Sequence, residues 1–429
     1  MDDDILSQGD DGREPSRWPR RLGVIAAVVA AAVGGIVYLT QPHGRPGASA
    51  AHPASAIPPA PVKESPGPVP SPEFTRLPDE PDGIVGRTVP WAGDLRLPLA
   101  AARPAWFSPA TGRTEQIGGL PADNAGYQFT RVGGGWAVQA GAVQTNGARA
   151  NSVQADESGT VSSVDAVCGS CAGPALPVWF LADGARSATR VGTANLVAPA
   201  ASPGALWLTS YPPTADPGAA AGMAREVSAT GAQLGRPVRL PAGYVIDQAT
   251  SRGLLLARTD QQPGTAVFRL WEPAARAFGR TFDQVIAASA TEVAWTSRCA
   301  PTTCQVQVVN LATGRRTAIG LPAGDSAAGA AFSPSGALLA LQLSYGLDGA
   351  LAMRLDVASV ATGRLTQLPG TSVSSDALFG FGWPAADDSL VAEFNFMPVL
   401  QLASWHPGSG RLAVSDLKPG RTEASLIVG

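Results

Sequence analysis

The chain has 429 residues, a net charge of −3 and a pI near 5.7, with Gly 49, Pro 38 and only 15% charged residues. A phosphate-binding polycation is excluded by that balance, and so is a coiled coil, which needs charged flanks along its length. The 45% hydrophobic content excludes wholesale disorder, and Gly and Pro in such number favour short strands joined by many turns. Of the basic residues only Lys63 and Lys418 are lysines, which points to a high-GC genome rather than to any chemistry.

Residues 1–21 read as a cytoplasmic tail. Residues 22–39 follow as an uncharged run, LGVIAAVVAAAVGGIVYL, near the shortest length that spans a bilayer as a helix. Arg13, Arg17, Arg20 and Arg21 precede it and only Arg45 follows closely, so the positive-inside rule places the N-terminus in the cytoplasm and the rest outside. A cleaved signal peptide is the rival reading, with small-x-small sites at Ala48-Ser49-Ala50 and Ala54-Ser55-Ala56. Both sites lie well past the apolar run, which favours an uncleaved signal anchor. Residues 40–82 are rich in Pro, Ala and Ser, and proline's fixed φ makes such a stretch an extended spacer without a core.

From residue 83 to 429 a unit recurs. One half is a strand, a Gly, Ser or Pro turn and a more apolar strand, as in Ala330 to Leu343 (AAFSPSGALLALQL) and Tyr127 to Gly141. The other half is a strand, a tight turn and a short strand ending near Leu-Pro, clearest in Val306 to Pro322 (VQVVNLATGRRTAIGLP). The second turn has a glycine at Gly112, Gly184, Gly231, Gly314, Gly363 and Gly408, and a degenerate form at Ala274-Ala275-Arg276. The resulting period of about 45 residues, with four strands in each, is that of a β-propeller blade. It is too long for a β-helix coil and too regular for a sandwich. The first interval is longer and predicts an insertion within Gly147 to Pro177.

The predicted fold is therefore all-β: a propeller of seven blades, with six or eight as alternatives, behind one transmembrane helix and a Pro-rich linker. Six strand quartets fit between Asp123 and Asp416. The hairpin at Ala105 to Leu120 is left without inner strands, and Ala424 to Val428 is predicted to join it and close the ring. FSPSGALLAL (Phe332 to Leu341) and VNLATGRRTAI (Val309 to Ile319) resemble the strand-turn-strand and outer-hairpin motifs of the TolB-like and WD40-like β-propellers of bacterial envelopes, here in a membrane-anchored, actinobacterial type of member. The resemblance implies fold and not ligand. It departs from the superfamily in lacking Gly-His and Trp-Asp dipeptides, and Ser335 stands where an Asp is usual.

Cys168-Cys171 and Cys299-Cys304 form two close pairs, each just before the strand that leads to an outer hairpin. In an oxidising compartment they read as two structural disulfides. A redox CxxC at Cys168 lacks the helix N-terminus that such chemistry uses, and a four-cysteine zinc site would need pairs from sectors three blades apart to converge. No catalytic, metal or cofactor residues are assigned. His43, His52 and His406 are the only histidines; His406 reads as part of a hairpin turn and Asp387-Asp388 as an inter-strand loop. Gly133-Gly134-Gly135 is a strand turn without a following helix. Trp106, Trp136, Trp179, Trp207, Trp271, Trp295, Trp383 and Trp405 recur at strand positions that suit inter-blade core.

Two functional classes follow. The favoured one is a non-catalytic binding or scaffold module of the cell envelope, anchored in the membrane, with an envelope protein or glycan as partner and no nucleic acid. The alternative is an extracytoplasmic hydrolase or lyase acting on glycan or peptide at the central channel. The inner strands as read carry one carboxylate, Asp247, and no His, which favours binding.

Overall fold

The computed structural model describes residues 91, 95–100, 103–121, 127–140, 174–212, 220–258, 267–297, 304–347, 350–368, 370–374, 378–384, 388–396, 399–407, 412–417 and 425–426. The apolar run 22–39 and the spacer 40–82 lie outside them. Among the described residues no helix is long and apolar enough to cross a membrane.

The described residues form seven antiparallel sheets. Blade two is built from Tyr127–Val132, Gly135–Ala140, Leu176–Ala182 and Thr189–Ala194. Blade three has Leu196–Pro199, Ala205–Ser210, Met223–Ser228 and Gln233–Arg239, and blade four has Tyr244–Thr250, Gly253–Arg258, Val267–Glu272 and Ala277–Asp283. Blade five has Val285–Ala288, Glu292–Thr296, Gln305–Asn310 and Arg316–Gly320. Blade six has Ser326–Phe332, Leu338–Leu347, Ala350–Ser359 and Leu365–Gln367, with Val373–Ser374 added beside its third strand. Blade seven has Leu378–Gly382, Leu390–Phe396, Val399–Trp405 and Leu412–Leu417. Blade one is composite: Ser425–Leu426 from the chain's end pairs with Leu97–Ala100, followed by Ala105–Ser108 and Arg113–Gln116.

Seven apolar clusters join the seven sheets in a closed cycle. Trp106 of blade one meets Trp136 of blade two, Phe180 of blade two meets Leu208 of blade three, and Trp207 of blade three meets Leu254 of blade four. Phe268 of blade four then packs with Val293 of blade five, Val308 of blade five with Leu341 of blade six, and Leu355 of blade six with Phe394 of blade seven. Val391 and Leu402 of blade seven close the cycle on Leu95, Leu97, Leu99 and Phe107 of blade one. This is a seven-bladed propeller, and the first strands lie innermost because those of adjacent blades touch one another. Each second strand is buried on both faces, as in GWAVQA of blade two, since a neighbouring blade covers either side. All eight tryptophans of the recurrent set lie in these clusters or pack against them.

The turn glycines behave as their period implies. Gly112, Gly184, Gly231, Gly314 and Gly363 all take left-handed φ between 64° and 83°, a region that costs other L residues about 1–2 kcal/mol. In the degenerate turn of blade four Arg276 adopts the same conformation, with φ 52°.

One expectation is corrected. The hairpin of blade one does not lack both inner strands: Leu97–Ala100 supplies the second, and the closing strand from the chain's end pairs with it, Leu99 opposite Leu426 and Ala100 opposite Ser425. Pro98 makes this run read as a loop in sequence, because proline gives no ladder donor. Pairing on the closing side covers only Leu99 and Ala100, so the missing donor is tolerated there. The insertion falls where the interval placed it, between Ala140 and Leu176 of blade two.

Candidate functional site

The two ends of the ring differ. At one end the first strand turns into the second and the third into the fourth, in tight turns that are knitted from blade to blade. Gly204 donates its amide to the Gly133 carbonyl at 2.6 Å, and Ser251 to the Ala290 carbonyl at 2.7 Å. Ser335 of blade six donates its amide at 3.1 Å and its hydroxyl to the carboxylate of Asp388 in blade seven. Glu292 of blade five accepts hydrogen bonds from Ser289, Thr291 and Asn310 and lies 2.9 Å from where a Cβ would stand on Gly336. These carboxylates are occupied in holding the turns.

The opposite end carries the long connections, from the second strand to the third. The strands that these connections join are described; of the intervals between them, 141–175 in blade two, 211–222 in blade three, 259–266 in blade four and 297–304 in blade five, most residues lie outside the described ones. Blade six contributes a hairpin of two ten-residue strands at this end, where no other second strand exceeds seven among the described residues. Its root holds a buried ion cluster. Arg354 pairs with Asp325, at the entry to the first strand, and at 3.1 Å with Asp356 two residues on, while its guanidinium sits 5.2 Å from the centre of the Tyr345 ring. Asp325 and Asp356 are 6% and 1% exposed. Burial raises both carboxyl groups above their usual value and Arg354 opposes the rise. The guanidinium is raised in turn: burial disfavours its charge, but the two carboxylates outweigh that. Beside the cluster Ser326 and Ser344 share a hydrogen bond at 2.8 Å. The arrangement clamps the incoming chain to the third strand and fixes the base of the long hairpin.

This cluster escaped sequence reading. Its signal is present in RLDVAS, where Arg354 and Asp356 share one face of an otherwise apolar strand with Met353, Leu355 and Val357 on the other. Such a pair in a blade buried on both sides demands a partner, and the partner, Asp325, lies 29 residues from Arg354.

At the channel, the first strands of blades four, five, six and seven each carry a bulge at the same place, leaving Asp247, Ile286, Ala328 and Phe379 as the extra residues. Asp247 is exposed, and among the described residues it is the one carboxylate on an innermost strand.

His406 and Asp388, read from sequence as turn residues, do occupy turns of blade seven, at the knitted end. Ser389 and His406 Nδ1 lie 3.2 Å apart. The Asp388 carboxylate is directed at Ser335 in the next blade, and the Ser389 side chain is 3% exposed, so the three do not form a nucleophile–base–orienter relay open to a substrate. Asp387, Cys168, Cys171 and Cys299 lie outside the described residues. Cys304 is half-buried at the start of the third strand of blade five. In sequence the two pairs fall between the second and third strands of blades two and five. Among the described residues no group of three or more His, Cys, Asp or Glu side chains could hold a metal ion.

No known protein-family pattern matches the chain, and no curated protein matches it. Solved structures of similar shape include a chain from a study of two prolyl endopeptidases, with TM-score 0.46, 13% identity and coverage of 79% of this chain and 51% of that one. The present chain thus spans about half the length of that protein. TolB from Acinetobacter baumannii aligns with TM-score 0.36 and 10% identity over 81% of this chain and 82% of its own. A putative 6-phosphogluconolactonase from Bacteroides fragilis aligns with TM-score 0.35 and 13% identity over 79% of this chain and 98% of its own. The propeller assignment rests on the strand pairings and the seven inter-blade clusters, not on these likenesses.

Proposed function

We propose that this protein is a membrane-anchored, extracytoplasmic propeller that serves the cell envelope as a non-catalytic binding or scaffold module. The observation that carries the reading is the asymmetry of the ring. One end is stitched closed by its own turns, and at the other the second and third strands of blades two to five are separated by long sequence intervals, beside the ion-clamped hairpin of blade six, which suits presentation of loops from a rigid base. The apolar run 22–39 holds the chain in the membrane with its N-terminus inside, and residues 40–82 set the propeller at a distance. The two cysteine pairs are proposed to be disulfides that brace connections at the presenting end.

The reading is tested with the full chain in native envelope. In vivo crosslinking from positions in residues 141–175, and separately from the knitted end, is followed by identification of the adducts. One partner caught reproducibly from the presenting end alone supports the module. If instead a screen of glycan and peptide substrates gives turnover that Asp247→Asn abolishes, the protein is an enzyme of the channel and the reading fails. Four titratable thiols in the oxidised, denatured protein would overturn the disulfides. Protease digestion of the C-terminal domain in spheroplasts checks its placement outside.

A further inference from the structure

Two arginines that lie over tryptophan rings differ in how their charge is met. Arg131 of blade two lies 5.1 Å from the Trp136 ring centre and is neutralised by Asp183, at 2.9 Å through Nη2. Arg280, on the fourth strand of blade four, lies at the same 5.1 Å from the Trp295 ring centre of blade five and 4.8 Å from Phe282, yet it has no ion-pair partner among the described residues. Phe282 and Trp295 meet edge to face at 5.4 Å, so the guanidinium rests on an aromatic floor that spans two blades. The strand register of blade five places a second cation at the same mouth. Trp295 stands opposite Gln307 and Gln307 opposite Ala318, so Arg316, two residues from Ala318, projects from the same side of its strand. Arg316 is exposed and likewise has no ion-pair partner among the described residues. Burial lowers the Arg280 pKa and the charge of Arg316 lowers it further, so the two guanidinium groups feel each other. Gln305 and Gln307 add amide groups to the mouth.

Two like charges brought together, one of them over apolar rings, cost energy unless an anion lies between them. A guanidinium lying over a ring directs its N–H groups outward in a plane, the geometry that takes a carboxylate in a two-pronged grip. Aromatic and arginine side chains in one cleft are also what binding hot spots on protein surfaces are made of. We propose that the outer mouth of the cleft between blades four and five binds a carboxylate-bearing segment of a partner protein, with Arg280 and Arg316 taking the carboxylate and Trp295 packing under the chain that carries it. This deepens the binding-module reading by placing one contact on the rim of the ring rather than on its presenting end.

The test is fluorescence anisotropy on the full purified chain, using a labelled Glu-Gly repeat peptide and the same peptide with Gln for Glu. The acidic peptide is expected to bind, the Gln peptide not, and raising salt from 0.05 to 0.5 M to weaken binding about tenfold, as screening requires. Arg316→Gln, exposed and safe for the fold, and Arg280→Gln should each weaken binding at least about fivefold, a loss of about 1 kcal/mol; unfolding midpoints verify that both variants are folded. Equal binding by the Arg316→Gln variant and the natural chain overturns the site, as does equal binding of the two peptides. Displacement by inorganic phosphate at concentrations where free glutamate has no effect would make the mouth a phosphate site and overturn the peptide assignment. A failure here with crosslinking intact at the presenting end removes this contact and leaves the module standing.

Discussion

Asp388 of blade seven accepts hydrogen bonds from both the amide and the hydroxyl of Ser335 in blade six, and does so from a left-handed backbone with φ 57°. The usual Asp of the blade motif is replaced by Ser335, and the carboxylate arrives from the neighbouring blade instead. The contact thus ties two blades together where a residue of the motif's own turn would have tied one. Ser335→Ala removes the hydroxyl bond to Asp388 and, within the turn, the contacts of that hydroxyl with the Ala337 amide and the Ser333 hydroxyl; water replaces the local ones at this exposed turn, and the expected cost is about 1 kcal/mol. Asp388→Ala removes the acceptor of both bonds and also puts Ala where short polar residues or Gly are tolerated, for about 2 kcal/mol in all. Asp388→Gly relieves the backbone but not the lost bonds and should fall between them. Urea unfolding midpoints give the order, and a Ser335→Ala loss as large as that of Asp388→Ala would contradict it.

The third-to-fourth turns offer a graded series. Arg276 is the residue that takes a left-handed φ where five other blades use Gly. Arg276→Gly relieves roughly 1–2 kcal/mol of backbone strain and gives back roughly 0.5–1 through the freer unfolded chain, for a net gain of about 0.5–1 kcal/mol. Gly112→Ala meets no atom within 4 Å and should cost only the strain. A Cβ on Gly363 would stand 2.4 Å from the Ala318 carbonyl oxygen of blade five, so Gly363→Ala must push two blades apart and cost more than Gly112→Ala. Thermal unfolding of the three variants tests the ranking, and an Arg276→Gly protein less stable than the natural one would refute it.

These turns also explain how much could be read without coordinates. Gly at one conformation in each repeat is a local requirement, so the period showed through, and even the degenerate turn at Arg276 kept its place. Tyr127 to Gly141, read as strand, turn and strand, matches Tyr127–Val132 and Gly135–Ala140, and Ala330 to Leu343 covers the end of Ser326–Phe332 and the start of Leu338–Leu347. Val285–Ala288 of blade five was missed because VIAA is four residues of uniform apolar character with no turn glycine after it. Leu97–Ala100 was missed because Pro98 hid it. The Arg354 cluster and the Arg280–Arg316 mouth were illegible for another reason: each depends on which residues of distant strands face each other, and that is set by register and by neighbouring blades.

The buried cluster of blade six should respond to loss of its cation. Arg354→Met keeps the volume and leaves Asp325 and Asp356 uncompensated among apolar strands, which costs about 3–5 kcal/mol at neutral pH. Both carboxyls already titrate above their unfolded value of 3.8, and without Arg354 they rise further. A group whose folded pKa exceeds its unfolded one contributes stability below the unfolded value and loses it as pH rises through the folded one. The variant's deficit should therefore shrink as pH falls from 7 toward 4. Urea unfolding of both proteins across that range measures it, and a deficit independent of pH would mean that Arg354 acts by packing alone.

Glu393 supplies the clearest proton linkage among the described residues. It lies on the second strand of blade seven, two residues from Val391 and opposite Leu402, both of which pack on blade one where the ring closes. It is 8% exposed, and burial pushes its carboxyl from 4.5 to about 7. Unfolding exposes it and returns it to 4.5, so the folded state holds a proton that the unfolded state has released anywhere between those values. Glu393 thus favours the closed ring fully below pH 4.5, and that contribution disappears as pH rises to about 7 and beyond, for an order-of-magnitude loss of about 3 kcal/mol. Glu393→Gln keeps the shape and the hydrogen-bonding groups of the protonated acid but cannot ionise. It is expected to match the natural protein near pH 4.5 and to be more stable by about 3 kcal/mol at pH 8. The strand Ser425–Leu426 docks on the same blade-one sheet, so the loss should register first as faster proteolytic release of the chain's end at high pH. Parallel unfolding curves of the two proteins across this range, with no growing gap above pH 5, would show that Glu393 keeps its charge in the folded ring and is solvated there.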